Sequence, residues 1–162
     1  MRTAALRRAN TLGSSLGLNV TTNSGRAVVI LSALTYVDNN ACVAGGTANG
    51  QCTNLNKWVF VQRIQMGNTS LRTSNYGSPL TSGPNGVTLD SQGKIDVIQY
   101  TTKSGAQAQF SSANGINPYT VVNNQVSGLP SGQRLYLVEA AAQGWAMPPF
   151  VNGSPTYSFA FF

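Results

Sequence analysis

Residues 26–37 read RAVVILSALTYV and residues 57–66 read KWVFVQRIQM; these two runs decide the fold class. The first is dense in β-branched residues and is bounded by Gly25 and by Asp38-Asn39-Asn40, which is the punctuation of a strand. Its nearly unbroken apolar character predicts burial on both faces or a central position in the sheet. In the second run Trp58, Phe60, Gln62, Ile64 and Met66 alternate with Lys57, Val59, Val61, Arg63 and Gln65, the period of two of an extended chain. Together the runs predict a long antiparallel hairpin.

Cys42 and Cys52 bracket the connection between them, CVAGGTANGQC, which is rich in Gly and Ala. A flexible loop of this length brings its ends within bonding distance, and closing it stabilises a fold by about 2–3 kcal/mol. A Cys42–Cys52 disulfide is therefore expected, and with it maturation in an oxidising compartment. A metal site would need further ligands, and the chain contains no histidine. Neither metal nor cofactor is expected. The preceding Asp38-Asn39-Asn40 reads as a hairpin turn rather than a calcium loop, because Cys42 stands where a third oxygen ligand would be needed.

Outward from the hairpin, Leu6, Ala9, Leu12 and Leu16 recur at helical spacing and predict a helix over Thr3–Leu16, ended by Gly13 and Gly17. Gln133–Ala142 (QRLYLVEAAA) predicts a third strong strand, and Thr156–Phe162 (TYSFAFF) a fourth with Tyr157, Phe159 and Phe161 on one face. Between Gly67 and Gly132 the chain is punctuated by Gly, Pro, Asn and Ser. There the stretches 86–89, 95–98, 106–110 and 119–122 read as short strands or turns in a long excursion of the kind that carries function. The expectation is one α+β domain over 1–162: an N-terminal helix at 3–16 packed on an antiparallel sheet of about four main strands, within a β-rich head at 26–162.

Composition narrows the chemistry. The chain has 162 residues, 41% hydrophobic and only 9% charged, so it buries a core while drawing its polarity from amides and hydroxyls. Ten basic residues against four acidic give a net charge of +6, yet the bases are spread singly and do not interleave with aromatics, so no nucleic-acid partner is expected. Without histidine the commonest general base is missing and Ser-His-Asp or Cys-His catalysis cannot be assembled. Four carboxylates remain, Asp38, Asp90, Asp96 and Glu139, and only Glu139 sits in a strong strand. The expectation is a non-enzyme with no small-molecule substrate. Trp145, Pro148, Pro149 and Phe150 form an apolar cluster in a connection and are a candidate partner contact. A second reading is a secreted carbohydrate-binding β-sandwich module, with Trp58, Tyr119 and Trp145 as stacking faces.

The stretches Val29–Val37, Cys52-Thr53-Asn54, Trp58–Ile64 (WVFVQRI), Gly67–Asn75 (GNTSLRTSN) and Ser127–Gln133 (SGLPSGQ) leading into Leu135–Ala141 (LYLVEAA) resemble the soluble region of TadE-like proteins, minor-pilin-like components of tight-adherence pilus assembly. The resemblance runs from about Leu6 onward. It implies a pilin-like structural component of an adhesive surface filament, located in the periplasm or outside the cell, with other pilus or filament subunits as partners. It also implies a membrane helix, which this sequence would place upstream of Met1, with Thr3–Leu16 as its tail. No catalytic residues come with it.

Overall fold

The computed structural model describes residues 18–19, 24–47, 51–110, 121–122, 125–126, 132–144 and 156–162. The strands are β1 (Leu18–Asn19), β2 (Ser24–Gly25), β3 (Ala27–Tyr36), β4 (Trp58–Gly67), β5 (Val121–Val122), β6 (Gln125–Val126), β7 (Arg134–Ala142) and β8 (Thr156–Phe161). Two short helices, α1 (Asn39–Ala44) and α2 (Val97–Thr102), and a 3-10 turn at Ser104–Ala106 complete the described elements. The main sheet has four antiparallel strands in the order β4-β3-β7-β8, and β1-β2 and β5-β6 are separate two-stranded ribbons. The expected helix over Thr3–Leu16 lies outside the described residues.

β3 is buried along most of its length on both faces, as its central place in the sheet requires. At its end the Val37 N–H donates to the Lys57 carbonyl at 2.9 Å and the Asn56 N–H donates to the Val37 carbonyl at 2.8 Å. Two residues thus oppose Val37, with Asn56 at φ 61°, a bulge that turns the hairpin into β4. The connection is not a bare loop. The Asp38 carboxylate accepts from the Ala41 N–H at 2.8 Å and caps α1, which ends at Gly45 against Thr101. Cys42, buried on α1, is joined to Cys52 in the expected disulfide, with the Cα atoms 5.8 Å apart.

The described part of the excursion, 67–110, folds back as a strap along the outer edge of β4. The Ala108 N–H donates to the Trp58 carbonyl at 2.9 Å, the Ile95 N–H to the Val61 carbonyl at 2.9 Å, and the Arg63 N–H to the Gly93 carbonyl at 2.7 Å. In a regular strand the edge-facing groups recur at every second residue. The step from Trp58 to Val61 is odd, so one residue is inserted at Phe60–Val61, a second bulge. Its effect is to move Arg63 onto the face that carries Trp58. The sequence alternation predicted opposite faces for these two. Arg63 is consequently buried, donating to Ser32 Oγ at 2.6 Å and lying 5.2 Å from the Phe60 ring centroid. Residues 95–98 divide between a bridge residue, Ile95, and the start of α2, whose first turn is capped by Asp96 where a short strand or turn was predicted.

Contact density divides the described residues into two compact units. One draws on Ser32–Ile64, Asn75–Leu137 and Phe161–Phe162, and its core joins Leu34, Tyr36, Val37, Trp58, Phe60, Tyr76, Val87, Ile95, Leu135 and Leu137. The other draws on the segments up to Leu31, Gln65–Ser74 and Val138–Ala160, with Val28, Ile30 and Ala141 packed by Leu71 and Tyr157.

The strap's closest approach makes a specific prediction. A Cβ on Gly93 would lie 2.0 Å from the Arg63 carbonyl oxygen, and φ is +72°. Gly83 has a similar φ of +76° with nothing within 4 Å. Gly83→Ala is expected to cost about 1 kcal/mol, from backbone strain alone, and Gly93→Ala about 3 kcal/mol, because the strap must also move off β4. Urea unfolding of the two variants checks this; equal losses would mean that the strap does not depend on that contact.

Candidate interaction surface

Reaction chemistry would draw on the carboxylates, and the structure places all four. Asp38 and Asp96 cap helices through Ala41 N–H and Ile98 N–H. Asp90 Oδ1 accepts from the Gln92 and Lys94 N–H groups at 2.7 and 2.9 Å and fixes the turn that presents Gly93 to β4. Such bonds to backbone amides are local structural devices. Glu139 is buried on β7, accepting from the Ser74 hydroxyl and, at 2.7 Å, from the Tyr157 hydroxyl. The Arg72 guanidinium lies 4.4 Å from the Tyr157 ring centroid and completes a polar cluster in that unit. Among the described residues no three His, Cys, Asp or Glu side chains gather as a metal site.

Two phenols are perturbed. Burial, chiefly, and then the Asp38 carboxylate raise Tyr36 above its ordinary 10.0. Tyr100 is also raised, mainly by burial, with Arg134 opposing and Asp96 adding to the rise.

What the protein presents to solvent is more informative. Along β7 the burial alternates strictly: Leu135, Leu137, Glu139 and Ala141 are buried, while Arg134 and Tyr136 are exposed on the other face. The Tyr136 and Phe162 backbones exchange both hydrogen bonds, at 3.1 and 2.9 Å. They are therefore directly opposed, with their side chains on the same face of the sheet. Tyr136 is 50% exposed and Phe162 73%. Two neighbouring aromatics held open to water make an exposed aromatic corner on β7 and β8. Val43 on α1 and Ile98 on α2 are also exposed, but each stands on its own short helix.

The aromatic pair was not singled out from the sequence. Nothing in the sequence sets Tyr136 apart, since Leu135, Tyr136, Leu137 and Val138 are all apolar, and Phe162 needed the β7-β8 register. Trp145, Pro148, Pro149 and Phe150, the predicted partner contact, lie outside the described residues, as does Tyr119. Trp58 is buried between Tyr36 and Phe110, with ring centroids at 5.7 and 5.8 Å, so its indole offers no stacking face.

Two expected outcomes follow from the polar groups. Glu139→Ala leaves two hydroxyls without their acceptor and opens a void, for a loss of about 3 kcal/mol, and Glu139→Gln keeps an acceptor and loses less; denaturant midpoints measure both. For the raised phenols, the protonated form favours the fold. That contribution is whole below pH 10 and is lost as the pH climbs through the raised values. Tyr36→Phe should move the midpoint of alkaline unfolding upward, followed by circular dichroism. Compared with known proteins, the chain matches no family model, no curated protein and no solved structure.

Proposed function

We propose that this chain is a structural, non-enzymatic component of a bacterial surface pilus or filament, acting by contact with other subunits in the periplasm or outside the cell. The observation that carries the reading is the exposed Tyr136–Phe162 pair on the main sheet, since solvent-facing aromatics are typical of protein contact sites. Three further features support it. The Cys42–Cys52 disulfide fits export to an oxidising compartment. Each carboxylate is engaged in holding a turn, a helix end or the Glu139 cluster. The resemblance to TadE-like proteins points the same way.

In this reading the segment Thr3–Leu16 is a pilin-like helix that packs on the sheet. Of the two sheet edges, the strap takes up the outer side of β4 at Trp58–Arg63, so contact with other subunits uses faces rather than this edge. No helix among the described residues is long and apolar enough to cross a membrane.

The test is cellular. Deleting the gene from its source cell should remove or shorten surface filaments, and antibody against the chain should label the cell surface or the filaments. Non-reducing mass spectrometry of the same protein should find the cysteines joined. Cytoplasmic protein with free thiols and unchanged filaments would refute the proposal.

A further inference from the structure

The two cysteines of this chain are joined to each other, so a thiol reagent acts on the protein at one place. Cys42 is buried on α1, whereas Cys52 is partly exposed and stands between exposed Gln51 and Thr53. Attack by an external thiolate therefore falls on Cys52 Sγ, with the Cys42 sulfur as the leaving group.

The cross-link lies at the root of the strap. Cys52 Sγ is 3.6 Å from the Thr101 carbonyl oxygen, near the end of α2. On the other side of the bond α1 packs on α2, where a Cβ on Gly45 would lie 2.5 Å from Thr101 Oγ1. Asn54, two residues past Cys52, bonds the Tyr100 and Lys103 carbonyls and the Gln107 side chain. The insert between β3 and β4 is thus bound to the strap on both sides of the disulfide. The hairpin itself is closed elsewhere, by the Val37 N–H on the Lys57 carbonyl and the Asn56 N–H on the Val37 carbonyl, outside the cross-linked loop. The pairing of β3 with β7 does not pass through that loop either.

We infer that the Cys42–Cys52 disulfide is a redox latch on the strap: joined, it holds residues 93–108 over the outer edge of β4, and reduced by a dithiol it frees them while the main sheet stays folded. In the joined form a lifting strap leaves the insert still looped, with little freedom to gain. With the thiols free, the loop between residues 10 apart spreads as the strap lifts, and α1, too short to persist alone, melts with it. The open form gains that entropy. The Trp58 and Val61 carbonyls and the Arg63 N–H then lose their strap partners and face solvent as a bare strand edge. The exchange balances. One dithiol gives two electrons and two protons to the cystine and becomes a cyclic disulfide, by way of a mixed disulfide on Cys52. Oxidised glutathione reverses it, taking two electrons and two protons and leaving two reduced glutathiones. The latch is a property of this fold and does not depend on the filament reading.

The test follows amide exchange by NMR on the full chain, in the disulfide form and in excess dithiothreitol, whose only target is this pair. The amides of Arg63, Ile95 and Ala108 carry bonds between the strap and β4. They are expected to exchange at least about tenfold faster in the dithiol form, while those of Ser32–Tyr36 and Leu135–Leu137 change less than about threefold. Oxidised glutathione should restore the slow exchange. Equal acceleration over strap and sheet would mean that the cross-link stabilises the whole fold and is no latch. Unchanged exchange would mean that the strap holds without it. Either result overturns the inference, and so does loss of the strand signal in circular dichroism on reduction. None of these results touches the filament and surface-labelling experiments, so the assembly reading stands or falls separately.

Discussion

The fold around the disulfide turns on one buried side chain, Asn54. Its Nδ2 donates to the Tyr100 and Lys103 carbonyls at 2.8 and 2.7 Å, and its Oδ1 accepts from Gln107 Nε2 at 2.8 Å. Its backbone N–H donates to the Thr101 carbonyl at 3.0 Å. Fully buried amides are tolerated only when satisfied, and this one is satisfied entirely by the strap. Asn54 sits two residues beyond Cys52, so the cross-link that places Cys52 against α1 also places the group that pins the strap. With the strap pinned, the edge of β4 is occupied at Trp58–Arg63 and the core around Tyr76, Val87 and Ile95 closes.

That chain of dependence explains how a region so poor in regular structure stays ordered. Between Gly67 and Phe110 there are only one short α-helix and one 3-10 turn. What holds the segment is a set of single points: the Asp90 turn, Gly93 against β4, the Asp96 cap, the Lys103 bond to Gly86 and the Asn54 amide. Each is modest alone, and burial of Ile95 and Ala106 between them makes the set cooperative.

Much of the sheet was legible in the sequence because its signal is local. Valine and isoleucine density marked β3, and the period of two marked β4. The Cys42–Cys52 pairing was legible because the loop is short and Gly-rich. The strap was not, since the bonds that tie it to β4 and to Asn54 join residues distant in sequence, such as Arg63 to Gly93 and Asn54 to Tyr100 and Lys103, which no local pattern announces. Asp38 and Asp96 could have been read as helix caps, but the six-residue helices that follow are too short to display a period. Arg63 was assigned to the wrong face for a related reason: strict alternation assumes an uninterrupted pleat.

The inserted residue at Phe60–Val61 has a consequence for how this segment can vary. Removing one of these two residues would restore an uninterrupted pleat and leave Arg63 on the surface that carries Trp58, still opposite Ser32. Removing Gln62 while the bulge stays would instead carry Arg63 to the opposite surface and leave Ser32 facing a hole. Relatives of this chain should therefore admit a one-residue gap at Phe60–Val61 but not at Gln62.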